Sequence, residues 1–90
     1  MWRPVYADLF LRDLARLPKS VQERIEAIVY GEAVLSDPFL SGKTQPLEGH
    51  KGYYKIRVGD YRIGVRLDFN GKIIQFDRVR HRKDIYRYFP

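Results

Sequence analysis

Four basic side chains alternate with apolar ones along two neighbouring segments of the chain, residues 53–58 and 61–68. Such alternation is typical of β-strands, in which every second side chain points to the same face. The Gly59-Asp60 pair between the two segments is typical of a two-residue hairpin loop. One face of the hairpin therefore carries a row of cations, which we call the basic ladder: Lys55, Arg57, Arg62 and Arg66.

The basic ladder is a candidate anion-binding site. Counting outward from the loop places Arg57 opposite Arg62, and like charges in that position destabilise a strand pair until an anion binds. Lys55 faces Gly64, which leaves a depression where a phosphate and a ribose could approach the backbone. The alternative is a solvated face covered by long aliphatic stems. Such a face usually mixes charge signs, and here only Asp68 is acidic, so the pattern favours anion binding.

A third basic run, residues 78–83, ends the last predicted strand. If that strand returns beside the hairpin, it brings His81, Arg82 and Tyr86 close to the basic ladder. These residues would add a proton carrier, a cation and an aromatic ring that can stack on a nucleic-acid base. Alternatively, the aromatic side chains of the tail pack the carboxyl terminus onto the sheet, which is the interpretation we favour for Phe89.

Two predicted helices precede the hairpin strands. Asp8 is a candidate N-cap for the first helix, whose apolar residues recur at helical spacing: Phe10, Leu11, Leu14 and Leu17. Pro18 ends that helix. Ser20 and Glu23 fit a capping box that opens a second helix, which we expect to end before Asp37. The tight break predicts a helical hairpin that covers one face of a sheet.

The remaining segments complete the predicted fold. Residues 2–6 favour a short strand, in which Pro4 is typical of an edge position. After a loop over residues 36–52, the Asn70-Gly71 turn leads from the hairpin to a strand over residues 72–80, whose uneven apolar pattern predicts burial on both faces. We therefore predict one α+β domain, residues 1–90, with an amino-terminal strand and a two-helix hairpin packed on a small antiparallel β-sheet.

Charge and composition restrict the classes of partner that the protein can bind. Residues 1–42 contain five Lys or Arg and six Asp or Glu, a net charge of −1, whereas residues 43–90 contain twelve and five, a net charge of +7. The positive half favours a polyanion such as nucleic acid, an acidic protein or an anionic surface. The chain has no cysteine, and no apolar run approaches the ~20 residues of a membrane span. We expect a cytoplasmic protein without a membrane partner.

Three segments together resemble the core pattern of the RelE/ParE toxin superfamily of type II toxin–antitoxin systems: Leu47-Glu48-Gly49, residues 53–62 and residues 78–86. The predicted helical hairpin, residues 14–37, is similar to that of the family, so the resemblance covers nearly the whole chain. Its most specific part is the block 54–62. The resemblance, which is nearest to RelE-like members, implies the RelE-like microbial RNase fold and a toxin that a cognate antitoxin holds inactive.

RelE-like members of the superfamily are mRNA interferases, which enter the ribosomal A site and cleave mRNA there. The resemblance places their active cluster on five positions of this chain: Lys55, Arg57, Arg62, Arg82 and Tyr86. Arg57 stands where RelE has a lysine, and a guanidinium does not deprotonate at working pH. Nearby cationic and aromatic side chains are candidate contacts to mRNA and rRNA: Lys51, Tyr53, Arg66, Arg80 and Lys83.

The implied reaction is attack of a ribose 2′-hydroxyl on the adjacent phosphate, which leaves a cyclic or 3′-phosphate and a 5′-hydroxyl. Lys55 is the candidate base, since neighbouring positive charge favours a neutral amine. Arginines 57, 62 and 82 suit charge stabilisation of the phosphorane. His81 is the candidate acid, with a solvated loop histidine as the equal alternative. For His50 we favour the solvated histidine.

Two other classes of function stay open. ParE-like members of the superfamily poison DNA gyrase and lack the RNase residues, so the fold alone does not identify the target. The basic face could also belong to a non-catalytic module that only docks an acidic partner. A metal enzyme is disfavoured, because the two histidines and the scattered acidic residues show no metal-ligand spacing. We accordingly expect no metal, small-molecule cofactor or other prosthetic group.

Overall fold

One mixed five-stranded sheet organises the chain. The computed structural model describes all 90 residues. Its elements in chain order are β1 (Arg3–Tyr6), α1 (Asp8–Ala15), α2 (Lys19–Val29), α3 (Ala33–Ser36), β2 (Thr44–Pro46), β3 (Tyr53–Val58), β4 (Tyr61–Asp68), β5 (Ile73–His81) and α4 (Ile85–Tyr88). The strand order is β1-β5-β4-β3-β2. The predicted amino-terminal strand, helical segments and antiparallel β3–β4–β5 meander are therefore confirmed.

The register of the β3–β4 hairpin is the predicted one. Arg57 pairs with Arg62 and Lys55 pairs with Gly64. The turn places Gly59 at a φ of +57°, a backbone conformation that glycine adopts without steric cost. The row continues onto β5, where Arg78 lies opposite Gly64 and Arg80 opposite Arg62. The basic ladder thus widens from two strands to three.

Helices α1 and α2 cover the sheet face opposite the basic ladder. Apolar residues at helical spacing in α1 and α2, such as Phe10 and Ile25, pack against every second residue of the strands, such as Ile56 and Ile63. All four of these side chains are fully buried. The helical spacing in α1 and α2 and the alternation along the strands thus bring these apolar side chains into one core on this face. The cations lie on the other face. The longest helix has 11 residues, and none of the helices could cross a membrane.

Both predicted helix caps are wrong. Ala7 is the N-cap of α1, so Asp8 lies in the first turn, where a carboxylate is favoured by the helix dipole instead of by a capping hydrogen bond. In α2 the N-cap is Pro18, and no side chain caps the helix. The helix thus begins two residues earlier than a capping box on Ser20 requires. The physical reason is that the proline ring fixes the φ of Pro18 at −52°, a value that is compatible with the start of a helix. The first helical residue is therefore Lys19.

Two other boundaries differ from the prediction. The second helix is interrupted after Val29 and resumes as the short α3, which ends before Asp37 as expected. Gly31 lies at the break, where a Cβ would be 2.5 Å from the carbonyl oxygen of Ala27.

The predicted loop before the hairpin contains β2, which adds a short edge strand to β3. At the opposite edge β1 pairs in parallel with β5, so the sheet is not purely antiparallel.

A β-bulge explains the uneven apolar pattern of β5. The predicted burial on both faces is met in part: the core face is fully buried at Ile74, Phe76 and Val79, and the opposite face is half-buried. The register shifts between Gly64 and Val65, because Gly64 pairs with Arg78 whereas Val65 pairs with Phe76. Asp77 is the extra residue. A bulge reverses the inward and outward alternation beyond it. Apolar side chains before and after the bulge therefore point into one core.

The depression expected at Gly64 is filled. The ring of Phe89 packs flat against this glycine, so closely that a Cβ there would lie 2.6 Å from the Phe89 Cγ. Phe89 belongs to a small second apolar cluster with Leu47 and Ile85, against which Tyr53 packs. The expectation that Phe89 anchors the carboxyl terminus is confirmed. Gly64 therefore accommodates an aromatic ring of the protein itself.

Gly64→Ala is expected to destabilise the protein, because the new methyl group and the Phe89 ring cannot occupy the same space. Overpacking of this kind costs about 1–3 kcal/mol of unfolding free energy, which urea denaturation measures. Adding Phe89→Ala to Gly64→Ala should remove the clash, so the two losses should not add. Additive losses would show that the methyl group and the ring do not compete.

Candidate functional site

Carboxylates neutralise one part of the cationic sheet face and leave another part free. Arg66 Nε lies 2.8 Å from Asp77 Oδ2, an ion pair whose hydrogen bonding raises the pKa of Arg66. Three cations of the ladder have no carboxylate within 4.0 Å: Lys55, Arg57 and Arg62. They lie at the end of the ladder nearest the hairpin turn. The structure thus concentrates unneutralised positive charge on three adjacent side chains.

The β5 arginines are held by a carboxylate from the first helix. Asp13 of α1, only 5% exposed, accepts hydrogen bonds from Arg78 Nε at 2.8 Å, Arg78 Nη2 at 3.1 Å and the backbone N–H of Val79 at 3.2 Å. The hydrogen bonds raise the pKa of Arg78. Arg80 Nε lies 3.3 Å from the same carboxylate without hydrogen-bond geometry. Asp13 therefore neutralises charge that the sequence would assign to the open face.

Lys55 and Tyr86 are in direct contact. Lys55 Nζ donates a hydrogen bond of 2.8 Å to the Tyr86 hydroxyl oxygen and lies 5.3 Å from the centre of the ring. Tyr86 projects from α4 and is 59% exposed. One side of its ring is thus available for stacking, while its hydroxyl is held over the ladder. The predicted proximity of these two residues is confirmed.

Arg57 and Arg62 differ in their freedom. Arg62 Nη1 donates to the carbonyl oxygens of Gly59 at 2.8 Å and Tyr61 at 2.9 Å, so its guanidinium is folded over the hairpin turn. Arg57 is exposed and has no side-chain hydrogen bond in the protein. Carbonyl oxygens are only partial charges, so Arg62 keeps its positive charge for an incoming anion. Arg57 can rearrange to meet a ligand.

Arg82 reaches the same end of the sheet through the backbone. Its N–H donates to the carbonyl oxygen of Asp60 at 2.7 Å, which joins the end of β5 to the hairpin turn. Its guanidinium Nε lies 3.7 Å from Asp60 Oδ1, and the two side chains are 57% and 71% exposed. Water screens such a surface pair, so an anion can displace the carboxylate readily. The expected position of Arg82 near the hairpin is confirmed.

His81 lies on the other face of the sheet. It pairs with Tyr61 in register, and the two rings make an edge contact at 5.3 Å. Residues directly opposite each other share a face, and Tyr61 packs on the helical side. The bulge at Asp77 is the cause, because it reverses which β5 residues face the ladder. His81 Nδ1 accepts the N–H of Lys83 at 3.2 Å. The expectation that His81 joins the ladder is therefore not met.

The residues predicted to contact RNA divide into free and engaged groups. Lys51 and Lys83 are exposed and make no ion pair. Tyr53 is partly buried between Phe89 and His50, with ring centres 5.6 Å and 6.3 Å away. The other two, Arg66 and Arg80, are the arginines held by Asp77 and Asp13. Their charge is balanced within the protein.

An open groove of about 1230 Å³ continues from the ladder, past the end of β3 nearest the hairpin turn, to α2. The side chains of Lys55, Arg57 and Arg62 line it together with two cations absent from the predicted site, Arg24 and Lys43. The guanidinium of Arg24 lies over the hairpin turn, within 3.2 Å of where a Cβ of Gly59 would be. Arg24 was not among the predicted site residues, because no local sequence signal links α2 to the hairpin.

Comparison with known proteins agrees with this architecture. The profile of the family described as "ParE toxin of type II toxin-antitoxin system, parDE" matches residues 5–86. The chain is 42% identical over 89 residues to toxin RelE3 of Methanocaldococcus jannaschii, which covers 96% of this chain and 97% of that protein. It is 34% identical over 77 residues to toxin RelG of Mycobacterium tuberculosis, or 84% and 85% of the two chains.

The fold is also similar to a solved toxin structure. It matches one chain of the RelB–RelE antitoxin–toxin complex from Methanococcus jannaschii with a TM-score of 0.74 and 39% identity, over 96% of this chain and 99% of that chain. The fold class implied by the resemblance is thus confirmed. Because the family profile spans nearly the whole chain and the relatives match over most of their length, the chain belongs to the RelE/ParE family of toxins of type II toxin–antitoxin systems.

Proposed function

We propose that this protein is a ribosome-dependent endoribonuclease that cleaves mRNA in the A site. The observation that carries the proposal is the selective neutralisation of the cationic face: Lys55, Arg57 and Arg62 have no carboxylate partner, and the Tyr86 hydroxyl lies beside them. Adjacent cations without carboxylate partners suit a pentacovalent phosphorus, on whose oxygens negative charge develops in the transition state. This arrangement supports phosphoryl transfer.

In the proposed reaction, the 2′-oxygen of a ribose attacks the neighbouring phosphorus. A 2′-O–P bond forms and the P–O5′ bond breaks, which gives a 2′,3′-cyclic phosphate and a 5′-hydroxyl. Water can then open the cyclic product to a 3′-phosphate. One proton must leave the 2′-hydroxyl and one must reach the 5′-oxygen, and the proposed scheme uses side chains alone for both transfers.

Lys55 and Tyr86 are the candidate proton carriers on this face. A tyrosine hydroxyl can accept one hydrogen bond and donate another. Because Lys55 donates to the Tyr86 oxygen, the hydroxyl proton is free to be donated to a ligand. We therefore assign protonation of the 5′-oxygen to Tyr86 and removal of the 2′ proton to Lys55. Arg57, Arg62 and Arg82 are the proposed phosphate ligands.

The proposed partners are a cognate antitoxin and the ribosome. The relatives are named toxin RelE3 and toxin RelG, and the solved complex pairs RelE with the antitoxin RelB. The net charge of +6 favours binding to rRNA and mRNA through counterion release. The same charge suits an antitoxin that covers the cationic face with acidic side chains.

Primer extension on a defined mRNA with programmed ribosomes tests the proposed activity. We expect a cut at the codon in the A site when protein and ribosomes are both present, and no cut when either is omitted. Cleavage without ribosomes would contradict ribosome dependence. Uncut mRNA from protein with the circular-dichroism spectrum of a folded α+β chain would contradict the nuclease itself. Inhibition of gyrase supercoiling by that protein would support a ParE-like activity instead.

Arg24→Ala is expected to weaken binding to single-stranded RNA and to reduce the slope of log affinity against log salt concentration by about one. The reason is that Arg24 adds one unpaired cation to the groove along β3. Fluorescence anisotropy of a labelled oligonucleotide in a salt series measures both quantities. The matched control is Arg12→Ala, which removes an exposed arginine of α1 outside the groove. Equal slopes for Arg24→Ala and Arg12→Ala would show that RNA does not enter the groove.

A further inference from the structure

One row of residues crosses three strands beneath the carboxyl-terminal helix. Lys55 of β3 pairs with Gly64 of β4, which pairs with Arg78 of β5. Three aromatic side chains from the α4 segment rest on this row: Tyr86 on Lys55, Phe89 on Gly64, and Tyr88 on the β5 arginines. The α4 segment therefore lies across the sheet, with one tyrosine on each side of its anchor.

The anchor alone does not fix the rotation of α4. Ile85 begins α4 and Phe89 is its C-cap, and both are almost completely buried. The Phe89 N–H donates to the Ile85 carbonyl, so the two anchors lie one helical turn apart along the axis. Two contacts on one line along the axis leave rotation about that line weakly restrained. The helix has only four residues and no side-chain cap, so its own hydrogen bonds add little stiffness. A contact away from the axis is needed to place Tyr86.

Tyr88 makes that contact. The centre of its ring lies 3.9 Å from Arg80 Cζ and 5.1 Å from Arg78 Cζ. Successive helical residues are about 100° apart, so residues 86 and 88 project to opposite sides of the buried pair. Fixing Tyr88 on β5 therefore also fixes the angle at which Tyr86 reaches β3.

The arginines under Tyr88 form a rigid platform. A free arginine side chain samples many rotamers, and a cation that moves would restrain the ring poorly. Here the Asp13 carboxylate holds Arg78 by two hydrogen bonds and contacts Arg80 at 3.3 Å. Asp13 of α1 thus restrains the two arginines of β5, and these arginines restrain Tyr88 of α4.

We propose that Tyr88 is a positioning residue: its ring, seated on the guanidinium groups of Arg78 and Arg80, holds α4 at the rotation in which the Tyr86 hydroxyl meets Lys55. The effect on catalysis rests on the proposed nuclease function, whereas the effect on α4 does not. Tyr88 itself is not assigned a contact with RNA.

The test compares Tyr88→Ala with Tyr88→Phe, since phenylalanine keeps the ring and loses only the hydroxyl. We expect Tyr88→Ala to speed amide exchange at Phe89, whose N–H donates to the Ile85 carbonyl, and to lower kcat on programmed ribosomes, each by about tenfold with little change in KM. Tyr88→Phe should keep both values of the unmodified protein. Tyr30→Ala, which removes an exposed tyrosine of the α2–α3 turn, should also keep both.

Three results would overturn the proposal. They are unchanged exchange and kcat in Tyr88→Ala, equal losses in Tyr88→Ala and Tyr88→Phe, and faster exchange in Tyr88→Ala without loss of kcat. If the unmodified protein cleaves no RNA, the proposed nuclease fails and the exchange comparison decides alone. Faster exchange confined to Tyr88→Ala then supports the positioning of α4, and equal exchange overturns it.

Discussion

Lys55→Met is expected to lower the rate of mRNA cleavage on programmed ribosomes by about 100- to 1,000-fold. The substitution keeps the length of the side chain and removes its charge, its proton-transfer group and its hydrogen bond to Tyr86. Lys55 is the free cation that contacts Tyr86, and it also lines the groove. No other side chain on this face combines these contacts. Single-turnover primer extension measures the rate.

Two variants show whether the loss is specific. Lys19→Met removes an exposed lysine from the first turn of α2, outside the groove, and should cleave at the unmodified rate. Lys55→Arg keeps the charge but cannot act as a base, because a guanidinium stays protonated. It should therefore stay inactive if Lys55 removes the 2′ proton. Full activity of Lys55→Arg would restrict Lys55 to charge stabilisation, and full activity of Lys55→Met would contradict its place in the site.

Asp13→Ala is expected to cost about 3–5 kcal/mol of unfolding free energy. The carboxylate is buried and receives hydrogen bonds from Arg78 and from the Val79 N–H at the bulge of β5. Alanine leaves a poorly solvated guanidinium and an orphaned backbone donor, which cost more than the ion pair itself contributes. Urea denaturation followed by circular dichroism measures the change.

Asp77→Ala is the matched control on the same sheet face. Asp77 also pairs with an arginine, but the Arg66 side chain is 45% exposed, against 13% for Arg78, so the expected loss is about 1 kcal/mol or less. Combining Asp13→Ala with Arg78→Met should cost less than the separate losses added together, because it removes the unpaired charge. Equal losses for Asp13→Ala and Asp77→Ala would show that burial does not set the strength of the α1–β5 link.

Much of the site is encoded locally, which is why the sequence could predict it. The β3–β4 register follows from one two-residue turn and a period of two, so the Arg57–Arg62 and Lys55–Gly64 pairs can be counted from Gly59. The bulge in β5 also leaves a local trace in the sequence. Buried residues 74, 76 and 79 are spaced by two and then three, and that change of step marks an extra residue.

The sequence by itself determined the hairpin, the three-strand meander, the helical cover and the excess of positive charge in the second half of the chain. The tertiary structure alone decided which cations remain free, because Asp13 and Arg78 are separated by 65 residues and meet only when α1 packs on β5. It also placed Phe89 on Gly64, and Arg24 beside the hairpin. Periodicity specifies the face of an element, but charge neutralisation depends on contacts between elements that are distant in sequence.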